Sequence, residues 1–85
     1  MIELILRHKN ITGENFKKAI LFYAIISDIY HSKSPRKGAT RREILDVLRK
    51  KHIHISTDEV SRFLQYLKDN RIIKNIDNDY WVTIA

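Results

Sequence analysis

Thr57, Asp58, Ser61, Arg62, Gln65 and Lys68 are short or forked hydrogen-bonding side chains, the kind that meet nucleic-acid base edges and phosphate oxygens. Their spacing puts them on one side of a helix. Val60, Phe63, Leu64 and Leu67 recur at i, i+3, i+4 and i+7 and claim the other side for a core. Ser56, with Glu59 three residues on, reads as a capping box that satisfies two orphan backbone N–H groups and starts this helix sharply. An ordinary solvated helix surface has a similar composition, so the neighbouring elements must decide between reader and surface.

Other chemistries have little support in the residues. There is no cysteine, which excludes disulfides and thiolate metal sites and fits a reducing, cytoplasmic compartment. His52 and His54 stand two apart in a turn with no carboxylate cluster nearby, so they read as turn residues and no metal is expected. No Gly-rich phosphate loop appears, nor a nucleophile that spacing would bring to a base and its orienter. The expectation is therefore a protein that is not an enzyme and needs no cofactor or small-molecule ligand.

Charge points the same way as the polar helix face. The 85 residues carry 16 Lys and Arg against 10 Asp and Glu, a formal +6. Residues 33 to 51 hold eight of those bases (Lys33, Arg36, Lys37, Arg41, Arg42, Arg49, Lys50 and Lys51) and only Glu43 and Asp46 as acids. Bases and acids balance elsewhere, so the whole excess sits just before the polar-faced helix. A polyanion partner follows naturally from such a concentration.

The elements that must position these groups read as one small domain over 1–85. Ile2, Leu4 and Leu6 alternate as a short strand would, although a helical turn or an arm onto a partner fits as well, and residues 1–13 are taken as an N-terminal arm. Thr12 could cap the helix that follows. Residues 14–31 form the longest periodic segment and are apolar around most of the circumference. Too short and too interrupted by Ser27 and Asp28 to span a membrane, this helix is expected to pack on its own domain through Phe16, Ile20, Tyr23 and Tyr30. Leu21, Phe22, Ile25 and Ile29 are then expected to meet a second copy, making a homodimer. The alternative is that the N-terminal arm folds back over that second face. A loop with Pro35 and Gly38 leads to Thr40-Arg41-Arg42-Glu43, a second capping box opening a helix through Lys51. Residues 40–70 thus make two helices joined by a four-residue turn, a helix-turn-helix. Asn70 is the expected left-handed cap, and 71–85 read as a β-hairpin turning at Asp77-Asn78-Asp79.

From Thr40 to Ile84 the chain resembles the winged helix-turn-helix transcription regulators of bacteria, archaea and their viruses. The resemblance lies in Ser56, Val60-Ser61-Arg62, Leu64, Leu67 and Asn70-Arg71-Ile72-Ile73, similar to that family's capping Ser or Thr, Val-Ser-Arg core, spaced leucines and Gly-Leu-Ile ending. It implies a mainly helical fold with a small hairpin wing, whose recognition helix, residues 56–69, enters the major groove of double-stranded DNA. It further implies that Thr57, Ser61, Arg62 and Gln65 face bases, Arg suiting guanine O6 and N7 and Gln suiting adenine N6 and N7. Phosphate contacts would come from Lys33, Arg36, Lys37, Arg41, Arg42, Lys50, Lys51, Ser56, Lys68 and Lys74, with the acidic hairpin tip kept out of the minor groove. The expected function is a homodimeric, sequence-specific transcription regulator. The alternative is an assembly module of the same fold that docks a protein instead of DNA.

Overall fold

The structure, a computed structural model, describes residues 1–84. Four helices precede a two-stranded antiparallel hairpin: α1 (Ile2–His8), α2 (Gly13–Ser32), α3 (Arg41–Lys50), α4 (Thr57–Asp69), β1 (Ile73–Ile76) and β2 (Tyr80–Thr83). Among the described residues, no helix is long and apolar enough to cross a membrane.

The first element is a helix rather than a strand, and it decides how α2 is covered. Leu6 is fully buried and Ile11 nearly so, and α1 lies against α2. Arg7 places its guanidinium 5.8 Å from the Phe16 ring centroid, over the first half of α2. The surplus apolar surface of α2 is thus met within the chain, by the arm folding back. The division of faces expected for α2 is met only in part: Phe16, Ile20 and Tyr23 do pack against the domain's own core, but Phe22 and Ile25 of the other face are buried in it more deeply. Ala19, Phe22, Ile25 and Ile26 are the buried positions, whereas Phe16, Ile20, Tyr23 and Tyr30 are half-buried. Phe22, 1% exposed, stands edge-on to Phe63 of α4 with ring centroids 4.9 Å apart. Phe22 and Ile25 therefore have no surface left for a second copy, and of the four expected interface residues only Leu21 and Ile29 are half-exposed.

Three helices end in one way. In each, a leucine is followed five residues later by an isoleucine whose N–H returns to the leucine carbonyl: Ile11 to Leu6 at 2.9 Å, Ile53 to Leu48 at 3.0 Å and Ile72 to Leu67 at 3.0 Å. A second bond lies inside each, from Asn10, His52 and Arg71 to the carbonyls of Arg7, Arg49 and Lys68. This is the Schellman arrangement, and it requires a left-handed residue before the isoleucine. Asn10, His52 and Arg71 have φ of 60°, 60° and 58°. The left-handed cap of α4 is therefore Arg71, and Asn70, at φ −90°, instead donates its side-chain amide to the Tyr66 carbonyl. Leu6, Leu48, Leu67 and Ile72 are all fully buried, so each stop signal is also a core contact.

The helix starts differ in completeness. Thr40 and Glu43 form the full reciprocal capping box of α3. At α4 only half of it exists: Ser56 Oγ accepts from Glu59 N at 3.1 Å, and the Glu59 carboxylate accepts from the Ser56 hydroxyl rather than from its backbone. Thr12 stands at the N-cap of α2 without a side-chain bond.

The hairpin pairs Ile73 with Thr83 through Ile76 with Tyr80. Its turn closes through Asp79 N–H to the Ile76 carbonyl, with Asp77 and Asn78 both at positive φ, as a type I′ turn requires. Ala39 adds a bridge on the other edge of β2, exchanging two 2.8 Å bonds with Trp81. Gly38 makes that approach feasible. At φ +118° it lies so close that a Cβ would stand 2.9 Å from the Trp81 carbonyl oxygen. The bridge fixes the hairpin beside the N-terminus of α3, where the charge excess begins.

Candidate nucleic-acid interface

Three elements frame one cleft of about 870 Å³. From α3 come Arg41, Arg42, Asp46 and Arg49, and from α4 come Thr57, Ser61 and Gln65. Asn78, Asp79, Tyr80 and Trp81 of the hairpin complete the wall, with buried Leu45 and Leu64 between. Periodicity explains the grouping. Arg42, Asp46 and Arg49 stand at i, i+4 and i+7 of α3, and Thr57, Ser61 and Gln65 at i, i+4 and i+8 of α4, so each set is one stripe flanking its helix's buried stripe.

Local bonds set the polar groups within this cleft. Arg41 Nη1 donates to Ser61 Oγ at 2.9 Å, a tie between helices twenty positions apart. Gln65 Nε2 donates to Asp69 Oδ1 at 2.8 Å. An ionised carboxylate can only accept, which fixes the amide orientation.

Of the four expected base-facing residues, Thr57, Ser61 and Gln65 are brought together and Arg62 is not. One residue beyond Ser61 is a rotation of about 100°, and Arg62 accordingly lines a separate hollow with Asn15, Lys18, Glu59, Phe63 and Tyr66. Ser56 borders a third hollow, with Arg49, His52, Ile53, His54 and Ile55.

The expected phosphate contacts divide as well. Arg36, Lys37, Arg42, Lys50, Lys51, Lys68 and Lys74 are exposed, and none is in an ion pair among the described residues. Lys33 is committed elsewhere. Its ammonium donates to Glu43 Oε1 at 2.6 Å and to the Gly38 carbonyl at 2.7 Å, and it stands 5.3 Å from the Tyr80 ring centroid. With this inward geometry it clasps the 33–40 loop onto α3 and the hairpin instead of reaching a ligand. Burial alone would raise the Glu43 carboxyl, but hydrogen bonds from Lys33 and from Thr40 more than offset it and hold the group below its ordinary value. Lys50 and Lys51, though exposed, lie outside the cleft, whereas Arg49 lines it. Arg49 was not among the contacts expected from the sequence. The signal was its position seven after Arg42 and three after Asp46.

Acids accompany these bases. Asp46 and Asp79 line the cleft, and α4 itself carries Asp58, Glu59 and Asp69 against Arg62 and Lys68. The positive potential therefore belongs to α3 and the loop before it. No group of three or more His, Asp or Glu suited to a metal ion occurs among the described residues. No protein-family model, curated protein or solved structure matches the chain.

Proposed function

We propose that the chain is a winged helix-turn-helix domain that binds double-stranded DNA with sequence preference and acts in transcription regulation. The observation carrying this reading is the cleft in which Arg41, Arg42 and Arg49 stand beside the aligned Thr57, Ser61 and Gln65. Cations for phosphates and hydrogen-bonding tips for base edges are the two halves of duplex recognition, and here they share one surface. α4 serves as the specificity element and residues 36–51 supply most of the affinity.

The reading extends to a homodimer, which would present two α4 helices to successive grooves. Its support rests on Met1, just before α1, and Leu4 within it, 84% and 60% exposed, with the outer parts of Leu21 and Ile29, which otherwise pack on the core. Light scattering across protein concentrations tests this part separately.

Fluorescence anisotropy with a duplex selected from a random pool, repeated over a range of salt, tests the main reading. Neutralising roughly four to six phosphates per subunit gives a slope of log K against log[salt] of about −3.6 to −5.4 per bound subunit, twice that for a dimer. A flat response, or equal affinity for every duplex, refutes it. A second reading is favoured by the three acids against two bases on α4 and by the acidic hairpin tip: a domain of the same fold that docks a protein surface and binds no DNA. Absence of salt-labile nucleic acid in the purified protein would favour that reading.

A further inference from the structure

We infer that Arg41, placed by its position on α3 among the backbone contacts, is instead a base-reading residue held over α4 by Ser61. The inference rests on the duplex-binding reading above and assigns one role within it.

Arg41 is the first residue of α3, and its side chain crosses to the neighbouring helix rather than standing off into solvent. Its Nη1 reaches Ser61 Oγ at 2.9 Å. Among the described residues this is the one hydrogen bond joining side chains of α3 and α4. Ser61 is the middle member of the Thr57, Ser61 and Gln65 stripe, so the tie draws the guanidinium onto the face that carries the base-edge groups.

The charge of Arg41 is not spent on the protein. Among the described residues no carboxylate pairs with it: Glu43 is engaged by Lys33 and the Thr40 N–H, and Asp46 and Asp79, which line the same cleft, form no ion pair with it. With Nη1 fixed to a serine hydroxyl, the Nε and Nη2 edge still offers two parallel donors. That edge has the geometry of guanine O6 and N7. A guanidinium anchored at one end also loses less rotamer freedom on binding than one free in solvent. Arg42 and Arg49, without such an anchor, remain the backbone contacts of α3.

Arg41→Lys separates the two roles, since it keeps the positive charge and loses the fork. Affinities of the wild type, Arg41→Lys, Ser61→Ala and Arg42→Lys are measured on the selected duplex and on a scrambled one, across salt, with circular dichroism confirming that each folds. Arg41→Lys is expected to reduce the selected-over-scrambled ratio on the order of tenfold while the scrambled affinity and the salt slope stay unchanged. Ser61→Ala, which alters no charge, lowers the same ratio severalfold, and Arg42→Lys preserves it. A wild-type ratio for Arg41→Lys, or an equal loss on both duplexes, overturns the assignment. If the wild type itself shows neither salt-dependent binding nor preference, the duplex reading fails, and the role of Arg41 fails with it.

Discussion

Removing the Glu43 carboxylate tests how the loop, α3 and the hairpin are held together. Glu43 accepts from the Thr40 N–H at 2.9 Å, as one half of the α3 capping box, and from Lys33 at 2.6 Å. A cap interaction contributes about 1 kcal/mol. The ion pair, with side chains 24% and 38% exposed, is partly screened and adds on the order of 0.5–1 kcal/mol. Glu43→Ala is thus expected to cost about 1.5–2 kcal/mol, lowering Tm by roughly 6–16 °C for a domain of this size. Glu43→Gln keeps an acceptor for the cap and loses only the charge, so it should cost about a third to a half as much. The two variants, with Lys33→Met and the double change, form a cycle read by urea unfolding, with a coupling of about 0.5–1 kcal/mol expected.

The pH dependence has a definite sign. Because the folded carboxyl lies below its ordinary value of 4.5, its contribution is complete above that value and is lost as pH falls through the folded pKa. The gap between wild type and Glu43→Gln should therefore close in acid. Wild-type stability for Glu43→Gln at neutral pH, or a gap indifferent to acid, would refute the clasp. Lys33→Met bears on the proposed duplex binding: the ammonium is already engaged, so the salt slope of that binding should not change. A slope smaller by about 0.9 would return Lys33 to the phosphate contacts.

Three further substitutions probe the frame. Phe22→Ala empties the contact with Phe63 and should cost about 3–5 kcal/mol, with the midpoint keeping whatever dependence on protein concentration the wild type shows, whereas loss of a dimer-interface residue would change that dependence. Gly38→Ala puts a Cβ 2.9 Å from the Trp81 carbonyl at φ +118°, and a loss of about 1–3 kcal/mol is expected by thermal unfolding. His52→Gly relieves a left-handed residue at the end of α3 and should raise stability by about 0.5–1 kcal/mol, since the steric relief exceeds the added chain entropy; a loss would mean that the His52 side chain makes a contact worth more than the strain.

How much of this was legible depends on what kind of information each feature carries. α3, α4 and the hairpin could be read because each has a single apolar stripe and punctuation at its ends: Thr40 with Glu43, Ser56, and the Asp77-Asn78 turn. In α1 the signal is ambiguous, since Ile2, Leu4 and Leu6 satisfy alternation while Ile2 and Leu6 also satisfy a helical i, i+4 spacing, and seven residues cannot separate the two. α2 is a harder case. Its apolar circumference states how much surface must be covered but not by what, so the face of Phe22 and Ile25 could equally be assigned to the core or to a partner, and only the position of α1 decides. The repeated Leu-x4-Ile endings were legible in principle, but Asn10, His52 and Arg71 hide the motif because glycine is its usual marker.

The same distinction applies to the site. A charge count marked the stretch holding the positive excess and could not find which cations are free, because Lys33 is neutralised by a residue ten positions away through a fold-dependent contact. Helical phase would have separated Arg49 from Lys50, and Arg62 from Ser61, one position apart in each case and facing different surroundings. Counting locates a binding surface to within a few turns of helix. Phase and pairing decide which side chains share one face, and in this chain they narrow the candidate set from the bases of 33–51 to Arg41, Arg42 and Arg49, which line one cleft with three polar residues of α4.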